Sequence, residues 1–469
     1  MCSLTCSLRS AYMALALTVL VGWSVAAQAQ NMQLVGRYDT PGEVIGVTVS
    51  GSRAYVADES GGFRIIDVSN PAAPQQLGAL ATPAPAQSVT VVGTLAFVTA
   101  GGAGLRIIDV SDPARPREIG AIDTPGFAYE VEVSGNIACV ADGNGGLRLI
   151  DVSDPTRPRQ VGSLGGSFSG ISVVGGLAFV AAGAGGLRIV DISDPTQPTV
   201  VGTATVGYVW DVHVYGTKAY VSSWYAGLRV VDVSDPANPR LLATLSTPEN
   251  IWEVFAVGRL VFAAMGSRGV IAVDVTNPAA PVQVGSSDTD GWAEGIFVSG
   301  RYVYVGDNWT GLLVFQYTGA MDFSISGQIT LEDYGASLAG IPVQVQLRQG
   351  GSTVREDTVT LDEQGNYTLS NVPSGTYDIA FKASHWLRRV LTEVQVQNDV
   401  TGLNVSLVNG DIDGDNEVTL FDFGELVAAF GAIPGDENWN PEADLDGDEE
   451  VTLFDFGILV ANFGEIGDE

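Results

Sequence analysis

A mainly β, multidomain fold is what this sequence predicts, and three observations predict it. Gly is abundant at 58 residues while charged residues make up only 16%, a balance that favours turns and short strands over long helices. One phrase recurs at a nearly constant interval through the first two-thirds of the chain. The acidic residues behind the net charge of −32 crowd into one end. At 469 residues the chain is also too long for a single core, so several domains are expected.

The repeat comes first. "RIIDVSNP" around Asp67 returns as "RIIDVSDP" at Asp109, "RLIDVSDP" at Asp151, "RIVDISDP" at Asp191, "RVVDVSDP" at Asp232 and "IAVDVTNP" at Asp274. A degenerate seventh copy, "GLLVFQYTG", follows around Gln316. Repeats of ~40 residues carrying several short strands are the mark of propeller blades. In the first unit the strands are expected near residues 34–38, 46–49, 54–57 and 63–68, separated by Gly-containing turns. The Asp-Pro or Asn-Pro step closes each unit, because Pro presets φ and the Asx side chain bonds back to its own backbone. The last copy lacks an outermost strand and the first has one to spare, "LVGRYD", so pairing the two closes a seven-bladed β-propeller over residues 30–320. The repeats resemble the LVIVD family of bacterial propeller repeats, a resemblance that implies the fold and no particular chemistry. The aspartate recurring in six copies reads as a turn residue.

In such a ring, the loops before the innermost strands and those between the second and third blade strands open on one face. Trp210, Trp252 and Trp292 fall in the first set, and Trp224, Tyr225 and Trp309 in the second. Asp211, Glu253, Glu294 and Asp307 interleave with them. Indole faces flanked by carboxylates suit a glycan or a protein ligand. The alternative is that these rings plug the channel and pack on one another. A Ser-His-Asp triad or a histidine metal site is not expected, since only His213 and His385 are present and lie in different domains. His213 alternates with valines as a channel-lining residue, and Cys139 reads as buried filler.

Residues 321–407 change pattern. "FSISGQITL", "IPVQVQLRQ", "STVREDTVTL" and "TYDIAFKA" alternate apolar with polar, as half-buried strands do. The run "GNYTLSNVPSGTYDIAF" resembles carboxypeptidase regulatory-like and related Ig-like modules, which implies a small β-sandwich serving as a spacer.

The tail, residues 408–469, holds one segment twice. From Asn409 onward there are 18 Asp or Glu and no Lys or Arg. "GDIDGDNEVTLFDFGELVAAFG" is answered 33 residues later by "ADLDGDEEVTLFDFGILVANFG". Side-chain oxygens stand at loop positions 1, 3, 5, 9 and 12: Asp411, Asp413, Asp415, Thr419 and Asp422, then Asp444, Asp446, Asp448, Thr452 and Asp455. Glu417 and Glu450, at position 7, offer backbone carbonyls. Six to eight oxygens on a flexible loop suit Ca²⁺, so two ions are expected. Position 6 favours a left-handed residue; Asn416 accepts that conformation more readily than Glu449, which points to the second site as the weaker. A helix should follow each loop, with Phe423, Leu426, Val427 and Phe430 on one side of the first and Phe456, Leu459, Val460 and Phe463 on one side of the second. A loop followed by a helix, twice, resembles the type I dockerin. That resemblance implies attachment to a cohesin-like module through positions 10 and 11, here Leu420, Phe421, Leu453 and Phe454, where the family usually carries small polar residues. The duplication would permit binding in either of two orientations.

Arg9, an apolar run over residues 11–25 and Ala27-Gln28-Ala29 form an expected signal peptide at 1–29, for a secreted or cell-surface protein of bacterial type. A pI near 4.1 argues against nucleic acid as a partner, and no transmembrane segment is expected. The reading is of a secreted, non-catalytic binding protein. Its rival is a docked polysaccharide-degrading hydrolase or lyase working at the Trp-rich propeller face.

Overall fold

The computed structural model describes residues 31–224, 226–397 and 399–469. The expected export signal and Tyr225 lie outside the described residues. Among those described, seven four-stranded antiparallel sheets follow one another as blades. In the first blade, strands Gly46–Ser50, Arg53–Ala57, Phe63–Asp67 and Gln75–Leu80 run from inside to outside. Innermost strands touch their neighbours in order, and Gly46–Ser50 touches Ala293–Ser299, so the ring closes. The spare strand, Met32–Tyr38, pairs with Gly311–Tyr317 and completes the last blade. Each sequence repeat therefore straddles two blades, its first strand being the outer strand of the blade before.

Local sequence explains the blade. The two middle strands bury nearly every side chain between adjacent sheets, as with Ala54 to Ala57 and Phe63 to Ile66. Each fully buried Ile, Val or Phe there contributes about 1.5–3 kcal/mol. Outer strands keep one face in water and carry the polar residues. A glycine with φ between +55° and +60° turns each innermost hairpin: Gly51, Gly93, Gly135, Gly175, Gly216, Gly258 and Gly300. A second glycine, on the outer strand, meets the Asp-Pro turn of the next blade. A Cβ at Gly162 would lie 1.9 Å from the Pro195 carbonyl oxygen, so no side chain fits. The recurring aspartate serves that turn, as expected: Asp67 Oδ1 accepts the Ser69 N–H at 2.8 Å, and Asp109, Asp151 and Asp191 repeat the bond.

A sandwich of one three-stranded and one four-stranded sheet follows, led by strand Asp322–Leu331. It rests on the ring at the innermost hairpins. Arg259 lies 3.7 Å from Asp322, and Arg301 donates to the Ser374 hydroxyl. Those hairpins are at the opposite end of the blades from the Trp-bearing loops.

The last residues form two acidic loops, each leading into a helix: α1 (Leu420–Ala429) and α2 (Leu453–Ala461). Leu426, Leu459, Val418 and Val451 fill a small core that also takes Leu387 from the sandwich side. The expected apolar stripe is split. Leu426 and Leu459 are buried and Phe423 meets Phe456 edge-on, while Val427, Phe430, Val460 and Phe463 stay exposed. A pair of helices this small has too little interior to bury a whole stripe. No helix among the described residues is long and apolar enough to cross a membrane.

Candidate functional site

At the loop end of the propeller, aromatic rings form a continuous chain. Tyr129 meets Trp210 at 5.7 Å between centroids, Trp210 stacks on Trp224 at 5.3 Å, and Trp252 contacts Trp210, Trp224 and Trp292 at 5.8–6.0 Å. Tyr208 extends the chain beneath Trp224. The structure thus brings together four of the five described residues picked out as ring-bearing on this face. The fifth, Trp309, stands apart and 69% exposed. Asp307, expected among the acids of this face, is buried and turned into its own loop, where its carboxylate accepts the Trp309 and Thr310 N–H groups.

Below the rings lies a cavity of 190 Å³ in the central channel. Asp211, Glu253 and Glu294 line it, together with two carboxylates that sequence reasoning missed, Glu130 and Glu132. Glu130, Asp211 and Glu253 are held alike. Each gives one oxygen to a backbone N–H of the next blade: Ile171 at 2.7 Å, Val254 at 2.9 Å and Ile296 at 2.9 Å. Those partners are 41, 43 and 43 residues on, one repeat each, and that equal register was the signal available for Glu130. For Glu132 there was none, because its counterparts in other blades are Thr90, His213 and Phe255.

Burial sets the electrostatics of the channel. Glu130 and Glu253 are pushed well above the usual carboxylate range by burial first and by Asp211 second. Burial lifts Glu132 to about 7 and Asp211 to about 6. His213 lines the same wall, as expected; burial lowers it to about 4, and its Nδ1 accepts the Ala256 N–H at 3.3 Å. Cys139 is fully buried and its thiol is pushed up to about 12, filler rather than nucleophile.

The acidic loops gather their carboxylates. Asp411, Asp413 and Asp415 bring oxygens within 4.8 Å of one another, and so do Asp444, Asp446 and Asp455. Asp422 and Asp455, at position 12, are fully buried and fasten the loops. Asp422 accepts Ile412 N–H and Thr419 N–H, both at 2.7 Å, and Asp455 accepts Leu445 N–H and Thr452 N–H at the same distances. Thr419 and Thr452 cap α1 and α2, each hydroxyl accepting the N–H two residues on. Asn416 and Glu449 both adopt the left-handed conformation, at φ 73° and 67°. Glu417, Glu450, Asp415 and Asp448 are exposed at the loop rims. Burial first, and then neighbouring carboxylates, raise Asp413, Asp444 and Asp446, outweighing the backbone N–H groups that lower them. This all-oxygen donor set fits a hard cation. At the head of each helix, Leu420 and Phe421 are 72% and 75% exposed, and Leu453 and Phe454 are 73% and 75% exposed.

The LVIVD-repeat model matches seven times, at residues 41–82, 84–124, 125–164, 165–206, 206–247, 250–289 and 290–315, more than half of the chain. The chain belongs to the LVIVD-repeat family. This LVIVD-repeat protein also matches the carboxypeptidase regulatory-like domain, over residues 324–408. No curated protein matches it. Among solved structures, the β-propeller domain of Cps50 (Swd1) from Myceliophteria thermophila is 13% identical with a TM-score of 0.52, over 61% of this chain and 100% of that one. It shares the fold. The computationally designed Ika8 protein (10% identical, TM-score 0.47, 61% of this chain, 99% of that one) is a more distant likeness. So is a mutant type II cohesin–X–dockerin complex from Acetivibrio cellulolyticus (24% identical, TM-score 0.27, 31% of this chain, 97% of that one). Neither likeness adds to the argument.

Proposed function

We propose that this is a secreted, non-catalytic binding protein. Its propeller recognises a glycan or protein at the aromatic mouth, its sandwich acts as spacer, and its dockerin-like end attaches it to a cohesin-type module. One observation carries the attachment: Leu420 and Phe421 are 72% and 75% exposed, and the second copy repeats them at Leu453 and Phe454. Covering such side chains is worth about 1.5–3 kcal/mol each, so a partner that buries one pair gains a usable affinity. Because the pairs are equivalent, either can serve, which gives two binding orientations.

Two calcium ions belong to this reading. Asp411, Asp413 and Asp415 would hold one, with the Glu417 carbonyl and Asp422, and Asp444, Asp446, Asp448 and Asp455 the other, with the Glu450 carbonyl. Bound calcium would supply positive charge to the crowded carboxylates, all of which but Asp411 lack an ion-pair partner among the described residues. The test measures binding of the whole mature chain to immobilised cohesin-type modules, with calcium and with chelator. Capture only with calcium, lost when Leu420, Phe421, Leu453 and Phe454 are changed together to Ser, supports attachment. Calcium binding without capture reduces the module to a structural clasp. At the mouth, changing Trp252 and Trp292 should abolish glycan or protein binding.

A second reading, polysaccharide cleavage, has one observation in its favour. Glu130 and Glu253 stay protonated to unusually high pH beside Trp210 and Trp252, as a general acid requires. Reducing-sugar or unsaturated-product release, lost in Glu130→Gln and Glu253→Gln, would establish it.

A further inference from the structure

The two acidic loops are near copies, yet the first carboxylate of each sits in a different electrostatic setting. Asp444 is surrounded by backbone dipoles: Gly447 and Asp448 donate to Oδ1 at 3.0 and 3.1 Å, and Glu449 donates to Oδ2 at 3.0 Å. Asp411 accepts one such N–H, from Asn416 at 3.2 Å, and its Oδ2 holds the ammonium of Lys382 at 2.7 Å. Lys382 belongs to the sandwich, on strand Gly375–Lys382. Its Nζ is fixed there by the carbonyls of Ser384 at 2.7 Å, Trp386 at 2.6 Å and Ala383 at 3.3 Å. The lysine side chain is 16% exposed and that of Asp411 fully buried, so water screens the pair little. Among the described residues, no ion pair reaches Asp444, Asp446, Asp448 or Asp455.

We propose that Lys382 makes the two loops unequal calcium sites, the second filling first and the first remaining weak and exchangeable. The inference rests on the calcium reading above. An ammonium on a ligand carboxylate acts twice: it cancels one of the charges that attract the ion, and it repels the dication directly. Four carboxylates against one lysine leave the first loop at net −3, while the second keeps −4 and adds Glu449 where the first has Asn416. This reverses the order expected from Glu449 alone. The left-handed backbone at Glu449 is already present in the folded loop, so its strain weighs on folding more than on the binding step.

Calorimetric calcium titration of the whole mature chain tests this, with Asp446→Asn isolating the first site and Asp413→Asn the second. The second site should bind roughly tenfold or more tighter than the first. Lys382→Met in the Asp446→Asn background should tighten the first site about tenfold, Lys382→Arg should leave it near its starting value, and neither should move the second site. Without calcium, Lys382→Met should melt lower than the parent, and calcium should raise its Tm by more, because the ion replaces the lost counter-charge. A merely structural lysine would lower the calcium-free Tm and leave first-site affinity unchanged or weaker, and that result overturns the proposal. A first site at least as tight as the second overturns it as well, while leaving the calcium reading intact. A wild-type chain that binds no calcium overturns both.

Discussion

Glu132→Gln should stabilise the propeller at neutral and alkaline pH and do almost nothing near pH 4. The carboxyl lines the channel cavity, and burial, with Asp211 behind it, raises it from 4.5 to about 7. Holding it ionised at pH 8 therefore costs the fold about 3 kcal/mol. Because the folded state binds the proton more tightly than the unfolded one, the penalty is absent below the unfolded value near 4.5. It grows as pH rises and is complete above the folded value near 7. Glutamine keeps the shape without the charge, so the variant should gain about 3 kcal/mol at pH 8, a Tm rise of roughly 5 °C, shrinking to a few tenths at pH 4. Two other titrations are kept apart from it. Turn carboxylates such as Asp151, held to about 2 first by Ser153 and then by Arg159, weaken the fold only as pH falls below 3.8. His213, lowered to about 4 by burial, adds stability as pH rises from 4 to 6.5, equally in both proteins, and so cancels in the difference. The assay is urea unfolding of parent and variant at half-unit steps from pH 4 to 8.5. Parallel stability curves across that range would refute the argument and mean that the channel solvates Glu132 as water does.

Changing Leu420, Phe421, Leu453 and Phe454 together to Ser should shift Tm by less than about 1 °C while abolishing partner capture, since these side chains are 72–75% exposed; changing one pair alone should leave capture intact. Asp422→Ala strips a fully buried cap from the Ile412 and Thr419 N–H groups, and should destabilise the C-terminal module by about 2–4 kcal/mol in thermal melts. Gly162→Ala places a methyl 1.9 Å from the Pro195 carbonyl oxygen and should cost about 2 kcal/mol or more in chemical unfolding. Chelation should lower the melting of the sandwich along with the tail, because Leu387 lies in the core of the tail and Asp411 N–H bonds the His385 carbonyl at 2.9 Å.

What the sequence made legible is what local chemistry repeats. The Asp-Pro turn demands the same residues in each unit, so the interval of about 40 residues and the ring closure by Met32–Tyr38 follow from reading the letters. The doubled loops are legible for the same reason. Channel chemistry was less so. A channel-facing position has no fixed neighbour across the ring, so blades fill it with Thr90, Glu132, His213 or Phe255 in turn, and only Glu130 shares its register with Asp211 and Glu253. The split helix stripe escaped periodicity because 3–4 spacing tells which residues share a side and says nothing of how much core awaits them. Lys382 was illegible altogether: its meeting with Asp411, 29 residues on, is made by the packing of one module on another.

That packing decides how the parts can act together. Strand Asp322–Leu331 begins at the ring, where Arg259 faces Asp322, and ends at the tail, where Asn409 Nδ2 donates to the Glu332 carbonyl at 3.2 Å. Ten extended residues span about 30 Å. The ring presents its hairpins to the sandwich, so its aromatic mouth lies at the end of the blades away from the sandwich. Backbone bonds continue the second join: Gly335 N–H to the Asp446 carbonyl at 2.9 Å, and Arg388 N–H to Asn416 Oδ1 at 2.7 Å. A flexible tether would let the ring sweep a volume relative to the tail. Joins built from buried side chains and backbone bonds fix the ring on the sandwich and the sandwich on the tail. The acidic loops lie beside the second join, where Asp446 and Asn416 each bond the sandwich, so whatever orders those loops also stiffens the join.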